Sequence, residues 1–381
     1  MAIKKYFAIA DNTITNAYKL NLSTRATGAN AGAADVLEIF SVYGRQSTSS
    51  AELSRVLIKF PISQISTDRS DSKIPASGSV KFYLNLYNAA HTKTVPSGSF
   101  SIVVEPVDKD WQEGFGLDLE TYKDTTNRNE GSDWINASDA TAWNIPGGDY
   151  ITTANAAYPY RWFSQSFYTG IEDIKIDITQ MVELWAAGTV DNYGLGVHLS
   201  GAYEAYLSTS TDTYSDGEVK NLTGSTVSYY TKRLFGRGSQ YFYKRPSIEA
   251  RWDSSKKDDR GDVYYSSSLA GVNDNLNTLF LYNYIRGQLT DIPSIGTNAI
   301  YVSFYSGSDD NSESSGQAAS SSTTTRAAIQ LPTTLPRAWV SSDNPYVVTG
   351  AWVSTGIYSA SFAVTASRAP LTKIFDVWHD G

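Results

Sequence analysis

The segment Val80-Lys81-Phe82-Tyr83-Leu84-Asn85-Leu86-Tyr87 places an apolar side chain at every second position. In an extended chain those positions share one face, which is typical of a strand that buries one side against a core. Short runs of the same kind recur along the sequence, separated by Gly, Asn, Asp, Ser and Pro. This pattern predicts an all-β protein built from antiparallel sheets.

The same criteria predict strands through most of the chain. They are expected at 36–43, 52–60, 79–87, 101–107, 193–199, 203–208, 247–252, 276–284, 299–305, 327–331, 346–353, 357–364 and 372–378. One short helix is predicted at 177–188, because Met181, Val182 and Trp185 follow helical spacing and Gly188 supplies a stop.

A charged, turn-rich stretch at 254–262 divides the strands into two groups. We therefore predict two antiparallel β-sandwich domains of jelly-roll-like type, with the short helix in the first. The first domain covers 1–253, the linker 254–262, and a smaller C-terminal sandwich 263–381. Within the second domain, the Ser- and Thr-rich stretch 306–326 is predicted to form a long exposed loop.

Composition narrows the class of protein. The 381 residues carry a formal charge of −8, are 41% hydrophobic and include 26 Tyr, 14 Phe and 9 Trp. Aromatic side chains in this number favour strands and interfaces, and the acidic balance argues against a nucleic acid partner. Because the sequence contains no Cys, disulfides and Cys-ligated metals are excluded. The residues after Met1 form no apolar run, so we expect no export signal and no membrane association.

Four motifs occur in a specific order in the first domain. They are the segment 54–65, Trp111-Gln112-Glu113-Gly114, Trp134 followed by Trp143-Asn144-Ile145-Pro146-Gly147-Gly148-Asp149, and Trp185-Ala186-Ala187-Gly188 with Asn192-Tyr193-Gly194. This order resembles the DNRLRE-type (disaggregatase-related) β-sandwich, a family close to some carbohydrate-binding modules and shared by adhesins and surface proteins. The resemblance covers 1–253.

A second resemblance extends over both domains. The segments 232–238, 244–253 and 275–283 are similar to structural proteins of tailed phages of marine bacteria. This likeness implies a non-enzymatic virion component of the tail, baseplate or fibre-attachment apparatus, located in the virion. Other virion proteins are then the expected partners, together with further copies of the chain in a homo-oligomer. A head decoration protein is an alternative.

No set of residues predicts catalysis, a cofactor or a metal centre. The acidic side chains at 108–120 could suggest a glycosidase or a Ca²⁺ site, but a solvated loop is the simpler interpretation. These side chains are Asp108, Asp110, Glu113, Asp118 and Glu120. His91, His198 and His379 lack the spacing of a zinc site. We therefore predict that the protein is not an enzyme.

Two sets of residues are predicted to form protein interfaces. The first combines aromatic and basic side chains, as interface cores do, and fits protein docking better than RNA binding. It comprises Phe235, Arg237, Tyr241, Tyr243 and Arg245. The second lies on strands of the C-terminal domain that are apolar on both faces, and it is expected to contact another chain or the first domain. It comprises Phe280, Tyr282, Phe304 and Tyr305.

The tryptophans of the first domain leave two alternatives open. Trp111, Trp134 and Trp143 could contact a glycan on the host surface, which would make the protein a glycan-binding or receptor-binding adhesin. The other alternative places these three side chains in the core, because a Trp buries a large apolar area. Core packing is the favoured interpretation, and exposure of the rings distinguishes the two.

Overall fold

The computed structural model describes residues 2–44, 50–90, 99–118, 131–139, 141–152, 162–208, 217–271, 273–307, 326–328, 347–365 and 374–380. The chain forms two compact units, Met1–Ser254 (unit 1) and Ser255–Gly381 (unit 2). The division therefore falls inside the stretch 254–262 that the sequence analysis assigned to a linker.

Unit 1 holds thirteen described strands and two described helices. The strands are β1 Ala2–Phe7, β2 Ala10–Thr15, β3 Val36–Gly44, β4 Ser50–Lys59, β5 Val80–Leu86, β6 Phe100–Pro106, β7 Asn136–Ser138, β8 Thr141–Ala142, β9 Phe163–Phe167, β10 Ile174–Asp177, β11 Leu195–Leu199, β12 Tyr229–Phe235 and β13 Ser247–Trp252. The helices are α1 Ile62–Ser70 and α2 Thr179–Ala186. Helix α2 lies where the sequence predicts one, whereas α1, with a mostly polar sequence, was not predicted.

Two antiparallel sheets form the sandwich of unit 1. One has four strands in the order β1-β13-β5-β10, and the other has seven, in the order β12-β3-β4-β11-β6-β9 with β2 paired to β4. This arrangement confirms the all-β sandwich fold. The segment predicted as a strand at 203–208 forms isolated bridges at Ala205 and Leu207 instead.

Apolar side chains from both sheets meet in what we call the inner core. Phe82 and Leu84 of β5 face Val56 and Ile58 of β4 in this cluster, and all four are fully buried. The alternation in β5 thus reflects one buried face, while Trp185 of α2 closes the end of the same cluster.

A second apolar cluster, the outer layer, lies on the opposite face of the seven-stranded sheet. Leu53 and Leu57 of β4 belong to it, so β4 is buried on both faces. The loops that follow β6, β8 and β11 cover this face. They contribute Val107, Trp111, Trp134, Trp143, Ala205 and Leu207.

Unit 2 is built on one curved antiparallel sheet. Its strands are β14 Tyr265–Ser266, β15 Asn277–Tyr282, β16 Tyr284–Ile285, β17 Gln288–Leu289, β18 Ile300–Gly307, β19 Arg326–Ala328, β20 Val347–Ser354, β21 Ile357–Phe362, β22 Val364–Thr365 and β23 Ile374–His379. The main order is β15-β21-β20-β18-β19, with β23 also paired to β18. The Phe304 and Phe362 rings stack in its core with centroids 4.0 Å apart.

Part of the predicted linker belongs to unit 2. The carboxylate of Asp259 accepts the N–H of Thr278, and that of Asp258 accepts the N–H of Phe280, so both side chains occupy the free edge of β15. Arg260 donates to the Phe280 carbonyl and pairs with Asp376 of β23 at 2.7 Å. The arginine therefore connects β15 and β23, which are the first and last strands of this sheet in chain order.

The predicted loop 306–326 overlaps regular structure at both ends. Ser306 and Gly307 complete β18, and Arg326 begins β19. Residues 308–325 lie outside the described part of the chain.

Candidate functional site

Five aromatic rings gather between β12 and β13, around a short 3-10 turn at Phe242–Lys244. We call this group the aromatic cap; it consists of Phe7, Phe235, Tyr241, Phe242 and Tyr243. The Phe242 centroid lies 4.5 Å from that of Phe7 and 5.5 Å from that of Tyr243. Tyr241 meets Phe235 edge-on at 5.4 Å. These contacts are within the range of favourable aromatic pairs.

The aromatic cap is open to solvent. Tyr241, Phe242 and Tyr243 are 52%, 49% and 78% exposed. The segment nevertheless has a fixed attachment, because Ala8 N–H donates to the Pro246 carbonyl at 2.9 Å. The chain therefore holds three large rings at its surface, and exposed apolar area of this kind is typical of interaction sites.

Two cations accompany these rings. Lys244 Nζ lies 4.9 Å from the Phe235 centroid, and the Arg245 guanidinium carbon lies 5.5 Å from that of Phe242. Arg245 Nε donates to the Ser239 carbonyl at 2.8 Å. Within the described ranges, neither cation forms an ion pair, so the cap carries uncompensated positive charge.

Arg237, which was predicted with the interface residues, has a different role. Its Nε and Nη2 donate to both carboxylate oxygens of Glu113, at 2.9 and 2.6 Å. Its backbone N–H donates to Asp11, which is buried. Arg237 therefore anchors the loop before the cap and is not available to a partner as a free cation.

Asp11 is a buried carboxylate without full compensation. Among the described residues, its Oδ1 has no hydrogen-bond partner, while its own N–H donates to Glu113 at 2.8 Å. Burial raises the pKa of Asp11 to about 7; the hydrogen bond from Arg237 opposes this rise, and the charge of Glu113 adds to it. The carboxyl therefore changes charge near neutral pH.

The predicted interface residues of unit 2 do not form one surface. Tyr282 is 42% exposed and its ring lies 6.5 Å from that of the half-buried Phe280. Phe304 is fully buried against Phe362, so the predicted surface role does not hold for it, since β18 directs this side chain into the core. Tyr305 lies on β18, and its side chain is outside the described part of the chain.

The tryptophans predicted as glycan contacts are buried. Trp111 and Trp143 are 5% exposed and Trp134 is 0% exposed. Each indole N–H donates to a backbone carbonyl. The Trp111 indole donates to Tyr193, the Trp143 indole to Asp133 and the Trp134 indole to Gly217. The glycan role does not hold for these side chains, because no ring face is free to stack on a sugar.

The Pro146-Gly147-Gly148-Asp149 corner is explained by packing and turn geometry. Gly147 has φ +89°, and a Cβ there would lie 2.8 Å from the Trp134 ring. The Asp149 carboxylate accepts the N–H groups of Asn144 and Ile145 and pairs with Lys109 at 2.9 Å. The corner thus serves the outer layer.

A buried ionic network, which the sequence analysis missed, lies in the outer layer. Arg55 Nε and Nη2 donate to the Glu204 carboxylate at 3.0 and 2.9 Å, and Nη1 donates to the Gly147 carbonyl. Burial alone would raise the pKa of Glu204, but Arg55 and His198 outweigh it and lower this pKa. The sequence signal is an arginine directly before the apolar run Val56-Leu57-Ile58 of β4.

The acidic loop shows ion pairs in place of a metal site. Asp110 pairs with Lys59 at 2.5 Å, and Glu113 forms an ion pair with Arg237. Glu120 and His91 lie outside the described residues, while His198 and His379 belong to different units. In the part of the chain that the structure describes, no group of three or more His, Asp or Glu side chains could hold a metal ion.

A groove of about 510 Å³ runs beside β3. Val36 and Phe40 line it together with Leu117, and the Glu38–Arg233 ion pair lies at its rim. Since the pair satisfies both charges, the groove presents no free ionic group from these two side chains.

No protein-family model matches the chain, and no curated protein matches it. Among the described residues, no helix is long and apolar enough to cross a membrane.

Proposed function

We propose that this protein is a structural, non-enzymatic component of a tailed-phage virion, in the tail, baseplate or fibre-attachment apparatus. Its role is protein–protein assembly with other virion proteins and with further copies of itself. The observation that carries the proposal is the aromatic cap, which exposes the rings of three consecutive residues on the sandwich of unit 1.

The composition of the cap supports docking of a protein. Tyr and Arg are enriched among the residues that dominate interface energetics, and Tyr241, Tyr243 and Arg245 occur here within one short segment. Each large aromatic side chain can bury roughly 150–250 Å² of surface in an interface. Three such rings supply the centre of an interface of ordinary size.

The attachment of the cap also supports this role. Its segment is fixed at one end by the Arg237–Glu113 pair and at the other by the Pro246 carbonyl, which accepts from Ala8. A preorganised surface loses less entropy on association than a free loop does. Scaffolding, in which many copies must adopt one geometry, benefits from such preorganisation.

The glycan-binding alternative receives less support. Its predicted residues Trp111, Trp134 and Trp143 lie in the outer layer, so a glycan would need a different surface. A glycan array that includes host lipopolysaccharide tests this alternative directly. Binding that survives Tyr241→Ser and Tyr243→Ser would favour an adhesin and count against assembly through the cap.

The proposal is tested in purified particles. Mass spectrometry should find the chain in stoichiometric amounts, and a low-resolution particle map should locate it on the tail apparatus; a position on the capsid would favour the head decoration alternative. Particles carrying the Tyr241→Ser/Tyr243→Ser variant should lose the protein, whereas Tyr168→Ser, a matched substitution at a 77% exposed tyrosine, should retain it. Finding the chain free in infected cells and absent from particles would reject the proposal.

A further inference from the structure

We infer that the aromatic cap binds an acidic polypeptide segment of another chain, with Arg245 and Lys244 pairing its carboxylates while the exposed rings cover its apolar side chains. This inference rests on the proposed assembly function and specifies the chemistry of the partner.

The charge state of Arg245 is the first argument. Seven arginines of unit 1 lie in the described ranges, and six of them pair with a carboxylate of the same chain. Those six are Arg25, Arg55, Arg69, Arg233, Arg237 and Arg251. Arg245 is the exception, although the chain as a whole has a charge of −8. An acidic protein that leaves this guanidinium without a carboxylate keeps it available for an external one.

The geometry of Arg245 is the second argument. Nε is held by the Ser239 carbonyl at 2.8 Å, and the guanidinium lies over the Phe242 ring. In the described part of the chain, its two terminal nitrogens have no acceptor. A guanidinium fixed in this way presents a donor pair that matches the two oxygens of a carboxylate.

The position of Lys244 extends the same site. Its Nζ lies 4.9 Å from the Phe235 centroid and 5.6 Å from the Tyr241 centroid. The ammonium is therefore held beside the rings without a carboxylate partner among the described residues. Two adjacent cations flanked by apolar rings fit a segment in which acidic and apolar side chains alternate.

A polypeptide fits better than a nucleic acid. Binding to a nucleic acid draws most of its free energy from many phosphate contacts, and the cap segment offers two free cations within an acidic chain. The contribution of the rings is apolar burial, which a peptide with apolar anchors can use fully.

The test uses the full-length protein and a fluorescein-labelled peptide of alternating glutamate and leucine with one tryptophan. The matched probe replaces every glutamate with glutamine. We expect the acidic peptide to bind at least about tenfold more tightly than the glutamine peptide, and its affinity to fall as salt increases. Arg245→Gln and Tyr243→Ser should each weaken binding about tenfold.

Matched controls separate the cap from general surface effects. Lys220→Gln and Tyr168→Ser change exposed side chains of unit 1 outside the cap and should leave binding of the peptide unchanged. Circular dichroism of every variant checks that the fold is retained.

Three results would overturn the inference. They are absence of binding at low salt, equal binding of both peptides, and equal or tighter binding of a single-stranded oligothymidine of the same charge. If any of these occurs while the Tyr241→Ser/Tyr243→Ser variant is still lost from particles, the assembly function stands and only the acidic partner is rejected. Retention of that variant in particles rejects assembly through the cap, whichever peptide binds.

Discussion

The two faces of the seven-stranded sheet in unit 1 are buried by different means. The inner face is covered by a second sheet, and Val56 and Ile58 of β4 meet only apolar neighbours in the cluster there. The outer face is covered by loops, and on the same strand Leu57 alternates with Arg55, which is buried in an ion pair. A single strand therefore contributes to an apolar cluster on one side and to a buried ion pair on the other.

This difference follows from the backbone that covers each face. Strands satisfy one another's N–H and C=O groups, whereas loops need side chains to do so. Asn30 illustrates this need, because its amide donates to the Glu113 and Ser132 carbonyls while its Oδ1 accepts from Gly32 and Gly116. The loop-built layer therefore carries buried polar side chains that satisfy the backbone of its loops.

The largest expected effect is in the inner core. Phe82→Ala removes a fully buried ring between the two sheets and should lower the free energy of unfolding by about 3–5 kcal/mol. Urea denaturation followed by tryptophan fluorescence measures the change. Phe115→Ala, at a 56% exposed ring, is the control and should cost less than about 1 kcal/mol. A small loss for Phe82→Ala would show that the two sheets do not share this core.

The ionic network of the outer layer should respond differently to single and double substitutions. Arg55→Met removes the guanidinium that pairs with the buried Glu204 carboxylate, so we expect a loss of about 3 kcal/mol. The Arg55→Met/Glu204→Met double variant removes both charges and should recover most of this loss. A double variant as unstable as the single one would mean that the network holds the loops through hydrogen bonds that apolar packing cannot replace.

The buried carboxyl of Asp11 should make the stability of unit 1 depend on pH. The folded-state pKa of Asp11 is raised from 3.8 to about 7, so the folded state binds an extra proton between these values and its stability falls as the pH rises through 7. Between pH 5 and pH 7 the upper bound of the loss is about 3 kcal/mol, and we expect about half of it. Asp11→Asn should remove this dependence, which urea denaturation at pH 5 and pH 8 measures. An unchanged difference between the two pH values would contradict the assignment.

The contrast between the faces also explains what could be predicted from the sequence. Alternation in β5 and β13 reports directly on the inner core, so the sandwich and these strands were predictable. The Arg55–Glu204 pair joins residues 149 positions apart, and no local pattern encodes such a pairing.

For Phe304 the sequence analysis predicted a surface role, whereas the structure buries the side chain. In the run Tyr301-Val302-Ser303-Phe304-Tyr305 both faces of β18 look apolar, and the sequence therefore predicts something covering the outside. The structure places Val302 and Phe304 together in the core of unit 2, and Ser303 between them is buried as well. Phe304 is therefore covered by its own unit, without a partner.

The smallest expected effect on stability is at the aromatic cap, and it sets the cap apart from both buried layers. Tyr243 is 78% exposed, so Tyr243→Ser removes little buried area and should change the free energy of unfolding by no more than about 0.5 kcal/mol. Tyr6→Ser is the internal contrast, since Tyr6 is 2% exposed and donates to Asp68 at 2.8 Å; it should cost several-fold more. Urea denaturation of both variants gives the comparison. A residue kept for folding would show a loss at Tyr243 similar to that at Tyr6. An exposed apolar ring that contributes little to folding stability is instead expected where the ring is retained to bind a partner.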